Sequence, residues 1–183
     1  LMILVGGLTR LTDSGLSITK WDLISGILPP LTISDWEKSF SLYKQIPEYK
    51  LLNFSMTLSE FKIIYWWEYG HRLLGRIIGL LYLVPILYFT YINSFKKNTL
   101  ISLYIILILI ILQGIMGWYM VQSGLTERTD VSHYRLSIHL TLAFIILILL
   151  FWNYLKFNQL DNFVLNNSLI SYLLIIFILS LLI

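Results

Sequence analysis

The sequence contains no cysteine. Disulfides, thiolate metal sites and cysteine nucleophiles are excluded together, and the chain carries no mark of its redox compartment. Charge is also scarce, at 13% of 183 residues, and the net charge is only +3. No basic run with interleaved aromatics is present, so nucleic acid is not an expected partner. The opening LMILVGGLTR lacks the basic start of a cleavable signal.

Apolar residues are abundant instead: 57% of the chain is hydrophobic, and the mean hydropathy is +0.77. Such a composition belongs to a membrane protein. Crossing hydrocarbon about 30 Å thick takes about 20 apolar residues in a helix. Stretches near 73–92 and 100–121 meet that length, and one near 136–155 almost does. LMILVGGL at 1–8 and SLISYLLIIFILSLLI at 168–183 read as pieces of two more spans.

The expected organisation is the end of a first span at 1–8, a large outer loop at 9–62, three spans within 63–155, a cytoplasmic loop at 156–167 and the start of a further span at 168–183. Twelve charged residues, six of each sign, lie between 9 and 62, which marks a solvated segment. Within it, Ser34 and Glu37 have capping-box spacing, and Trp36, Phe40 and Tyr43 recur at helical spacing. A short amphipathic helix at the membrane surface is predicted there. A second box, Thr57 with Glu60, starts the next helix near 58, above the bilayer. SFKKN at 94–98 holds two lysines and no acid, so the positive-inside rule puts it in the cytoplasm and the large loop outside.

WWEYGHRLLGR at 66–76 places charge at the mouth of a hydrophobic helix. At 100° per residue, Glu68, His71, Arg72, Gly75, Arg76 and Gly79 share one face within an arc of about 140°. Such a face is too costly to point at lipid and belongs in the bundle interior. Two spans later, Arg135, His139 and Ala143 form a matching row. His133 points away from it and reads as a loop-side residue. At 1.5 Å per residue, His71 and His139 stand roughly 30 Å and 25 Å above the inner ends of their spans. They can therefore face each other in the outer half.

Two imidazoles on separate helices, flanked by arginines, suit a bis-histidine haem: axial nitrogens for iron and cations for propionates. A lone histidine there would read as an interfacial residue, but two aligned sets outweigh that. Zinc is disfavoured by the neighbouring arginines. In LQGIMGWYM, Gln113 and Gly117 lie one turn apart, which suits either helix packing or lining of the haem cavity.

The chain resembles the haem A synthase family, on GGLTRLTDSGLSITKWDLISGILPP, YKQIPEY, WWEYGHRLLGR, LQGIMGWYMVQSGL and DVSHYRLSIHL. The resemblance implies an all-α polytopic membrane helix bundle of eight helices in two pseudo-symmetric four-helix halves, of which this chain resembles the N-terminal one. It implies oxidation of a ring methyl of haem O to the formyl group of haem A, by two hydroxylations and loss of water, for terminal oxidase assembly. His71 and His139 match the family's ligands to substrate haem O, and Glu68 its essential acid. Haem b belongs to the C-terminal half. Arg72, Arg76 and Arg135 are assigned to propionates or to lipid and acidic partners. A haem O synthase as supplier, an electron donor of unknown identity and a homo-oligomer are the implied partners. The implied location is the cell inner membrane or the mitochondrial inner membrane. The rival readings are a b-type electron carrier, which needs no acid beside its ligand, and a transporter, for which Pro85 alone hints at a broken helix.

Overall fold

The computed structural model describes residues 1–21 and 25–158, the side chains of Ser25 and Glu127 excepted. The described residues form an all-helical membrane bundle with a folded segment ahead of its first long helix. Most of the predicted loop at 156–167, and all of the span start at 168–183, lie outside the described residues.

Helix α1 (Met2–Leu11) runs three residues past the predicted end of its span. It stops where Asp13 turns left-handed, at φ 47°, a conformation that asparagine and aspartate tolerate better than most residues. After a short 3-10 turn at Ser25–Ile27 come α2 (Ile33–Tyr43) and α3 (Pro47–Leu51). The predicted Ser34–Glu37 box is corrected to Thr32–Asp35, with Asp35 N donating to Thr32 Oγ1 at 3.1 Å and Thr32 N to Asp35 Oδ2 at 3.1 Å. Thr32 is still extended, at ψ 162°, which lets its hydroxyl fold onto the first turn, whereas Ser34 already lies inside the helix.

The stripe Trp36, Phe40 and Tyr43 exists, but its partner differs from the predicted membrane surface. It packs with Phe61, Tyr65, Tyr69, Leu16, Ile46 and Val131 in one buried cluster. The cause is α4 (Leu58–Tyr91), capped as predicted by Thr57 and Glu60. Its first turns carry Phe61 and Tyr65, which stack on Phe40 at 5.0 Å and meet Trp36 edge-on at 4.9 Å. Each aromatic pair of this kind adds about 0.5–1.5 kcal/mol beyond area burial.

Helix α4 then passes through Pro85 without a break and is followed by α5 (Lys97–Glu127) and α6 (His133–Phe157). All three are long and apolar enough to cross a membrane. Their outward residues, such as Leu81, Val84, Ile108 and Ile148, are exposed, as expected of a surface solvated by lipid chains. Helix α5 packs mainly on α6, and α1 on α4. Toward the inner end, Tyr82 donates to Leu103 O at 3.0 Å, and Ser102 to Asn153 Oδ1 at 3.1 Å. Such interhelical bonds fix rotation where hydrophobicity cannot.

Candidate haem-binding site

The stripe on α4 faces inward as its spacing requires. Glu68 is 2% exposed, and His71 is half-buried against α1. A Cβ added to Gly6 would stand 3.2 Å from His71 Nε2, so the absent side chain is what admits the ring. One turn further in, a Cβ on Gly75 would come within 3.2 Å of Met2 Cε.

The α6 histidine has a matching seat on α5. A Cβ on Gly117 would lie 3.2 Å from His139 Cε1. Gln113 Nε2 donates to the His139 carbonyl at 3.0 Å. Both residues pack α5 against α6 at His139, with one interhelical hydrogen bond, as the packing reading has it. His71 and His139 are near enough to interact electrostatically, and His139 Nδ1 is buried with no hydrogen-bond partner among the described residues. An orphaned imidazole nitrogen in a protein interior is unusual and costly, and it is the atom type that a metal takes up.

Glu68 and Arg72 are drawn instead to the outer loop. Glu68 Oε2 accepts from Ser17 Oγ and from Ile18 N, both at 2.7 Å, and Glu68 Oε1 accepts from Arg72 at 2.5 Å. Arg72 also donates to Ile18 O at 3.0 Å and Lys20 O at 3.4 Å, and its guanidinium lies 4.7 Å from the centre of the Trp21 ring. The pair is buried, with side-chain exposures of 9% for Arg72 and 3% for Glu68. Residues 17–21 are thereby stapled to α4 one turn above His71. Tyr69 extends the staple by donating to Ile27 O at 2.7 Å.

The remaining predicted residues divide. Arg76 lies one turn inward of Arg72 on the same stripe. Arg135 places its guanidinium 4.3 Å from the centre of the Tyr119 ring on α5. His133 is exposed, within 3.7 Å of Asp130 and 3.5 Å of Arg10, outside the histidine pair as predicted. Among the described residues no three His, Cys, Asp or Glu side chains converge to hold a metal ion. Two imidazoles alone suit a metal whose other ligands come with it, as the ring nitrogens of a haem do.

Ser17, Ile18 and Gly6 were not among the expected site residues. Ser17 and Ile18 reach Glu68 across about 50 positions of sequence, partly through a backbone N–H, and no periodicity reports such a bond. Gly6 carried a faint signal in the GG pair of an otherwise apolar stretch.

A family profile described as cytochrome oxidase assembly protein, COX15-CtaA, matches residues 1–183. The chain belongs to this family. Among its relatives, a protein of Pelagibacter ubique named Heme A synthase is 55% identical over 185 residues, covering 100% of this chain and 54% of that protein. One of Ehrlichia canis with the same name is 51% identical over 181 residues, covering 97% and 52%. A third, of Azorhizobium caulinodans, also named Heme A synthase, is 56% identical over 147 residues, covering 80% and 42%. The chain thus spans about half the length of the curated relatives it matches. No solved structure matches it.

For a COX15-CtaA protein built this way, the glycine seats make a direct prediction. Gly6→Leu is expected to lower haem content of the full-length protein on the order of tenfold, the scale of losses when ligand-supporting contacts are removed. Gly7→Leu, where no atom lies within 4 Å, should leave haem content unchanged. Extraction of haem from the two purified variants checks the contrast.

Proposed function

We propose that the full-length protein is a haem A synthase of the cell inner membrane, converting the ring methyl of haem O to the formyl group of haem A. The observation that carries this reading is the pair His71 and His139, near enough to interact electrostatically, with Gly6 leaving room for the His71 ring and Gly117 for the His139 ring. The relatives' name supports it. In this reading the two imidazoles hold the iron of the substrate, and the Nδ1 edge of the His139 ring packs against Gly117.

Arg76 and Arg135 are the cations assigned to the propionates. Arg72 closes the outer loop instead, because its donors already serve Glu68, Ile18 and Lys20. Glu68 is the acid of the site. Its carboxylate is held in one orientation by Ser17, Ile18 and Arg72, where it accepts a proton from the substrate edge or stabilises positive charge developing there. The loop above it keeps bulk water from the reacting methyl. A haem O synthase supplies the substrate, molecular oxygen is the oxidant of the two hydroxylations, each of which also takes two electrons from a donor and releases one water, and haem b belongs to the other half of the full-length protein.

The test is expression of the full-length protein in a host that makes haem O but no haem A, with chromatography of extracted haems. Haem A should appear only when the protein is present. Unconverted haem O alongside spectroscopically intact bound haem would favour a b-type electron carrier.

A further inference from the structure

Outside the histidine pair, the outer segment buries a second carboxyl that the proposed chemistry does not use. Glu48 on α3 is 4% exposed, and its Oε2 is buried with no hydrogen-bond partner among the described residues. A buried, unpaired carboxylate is among the costliest groups a protein can hold. Four groups or surfaces face it. Tyr43 of α2 is fully buried; its hydroxyl accepts from Asn53 Nδ2 at 2.8 Å, pairs with the Glu48 carboxyl and feels the charge of Glu68. Glu68 of α4 and Asp13 of the loop after α1 both act on it through their charge. The α5 residues packed on this cluster, Met120, Val121 and Leu125, are apolar.

Two of the three carboxyls are buried and one is exposed. Glu68 is 2% exposed and Glu48 4% exposed, while Asp13 lies at the surface. Surrounded by these acidic and apolar neighbours, Glu48 favours the neutral acid at neutral pH. Burial above all, then the charges of Glu68 and Asp13, pushes its carboxyl from 4.5 up to about 8. Burial likewise raises the Tyr43 phenol, which stays protonated.

Resting on the haem A synthase reading of Glu68, we propose that Glu48 is the proton station between Glu68 and the outer water, with the Tyr43 hydroxyl between the two carboxyls and Asp13 at the exit. Each transfer breaks one O–H bond and forms another. Glu48 gives its proton outward past Asp13, and the proton that Glu68 has taken from the substrate side reprotonates Glu48 through Tyr43. No electron moves in this step, and the Glu48–Glu68 pair carries at most one negative charge before and after it. Two like charges in one buried layer are thereby avoided.

Infrared titration of the full-length protein in lipid tests the station without reference to haem A. A carboxylic-acid C=O band should be present at neutral pH and disappear with a midpoint near the value of about 8 set by its surroundings. Glu48→Gln should remove that band, and Glu68→Gln should move its midpoint to lower pH by deleting a neighbouring charge. In the haem O host, Glu48→Gln should slow haem A formation by about 100-fold at neutral pH, at the low end of what proton-transfer groups contribute. Haem O content should be unchanged, and the alkaline limb of the pH profile should be lost. Absence of the band in the unaltered protein, or its survival in Glu48→Gln, would overturn the proposal. So would a midpoint indifferent to Glu68→Gln, or an unchanged pH profile. If the unaltered protein makes no haem A, the enzymatic reading fails while the infrared titration still decides whether Glu48 is a neutral acid coupled to Glu68.

Discussion

Replacing His71 or His139 with alanine is expected to abolish haem A formation in the full-length protein, a loss of more than about 100-fold. That exceeds the 10–100-fold typical of groups that merely support a metal ligand. Each ring packs where a glycine leaves room for it, Gly6 for His71 and Gly117 for His139. Truncation therefore removes the ligand and leaves a void where a ring was packed. Neither histidine supports the outer segment, whose core is Tyr43, Phe61 and their neighbours. The variants should accordingly insert and fold, and haem chromatography in the haem O host reads the loss.

The second large effect concerns Glu68. Glu68→Ala strands Arg72, 9% exposed, without its carboxylate, and breaking a buried pair in this way costs about 3–5 kcal/mol. It also leaves Ser17 Oγ and Ile18 N without their acceptor. Loss of activity in that variant alone would mix chemistry with an opened loop. The double variant Glu68→Gln with Arg72→Gln separates them, because both charges leave together and the amide introduced at position 68 retains an oxygen for Ser17 and Ile18. We expect it to recover most of the thermal stability lost in Glu68→Ala, while haem A formation stays down by about 100-fold, the lower range for a group acting on protons or developing charge. Recovery of activity together with stability would make Glu68 a positioning residue for the loop.

The sequence made the helix faces legible and left their neighbours hidden. Glu68, His71, Arg72 and Arg76 recur at whole turns, and an intramembrane charge has few stable places to point, so the inward stripe could be read directly. His139 followed from comparable depth on a parallel helix. The cap at Thr57 and Glu60 was readable for the same local reason.

Three features were not. The Thr32–Asp35 cap lies two residues upstream of the expected one, since backbone conformation at Thr32 decided between two adjacent candidates. The aromatic stripe of α2 carried its own periodicity but no information on whether lipid or the projecting turns of α4 would cover it. Arg72 had a cation's expected assignment, yet loop carbonyls of Ile18 and Lys20 claimed it across more than 50 residues. Contacts of that range depend on how the outer loop returns over the bundle, which no local pattern encodes.

Everything proposed for the site requires His71 and His139 to hold the substrate haem, and haem retention tests this most directly. The full-length protein, His71→Ala and His139→Ala would be purified from the haem O host and their extracted haems separated by chromatography. We predict that each variant loses haem O. Haem O retained at the unaltered level in both variants would contradict the assignment.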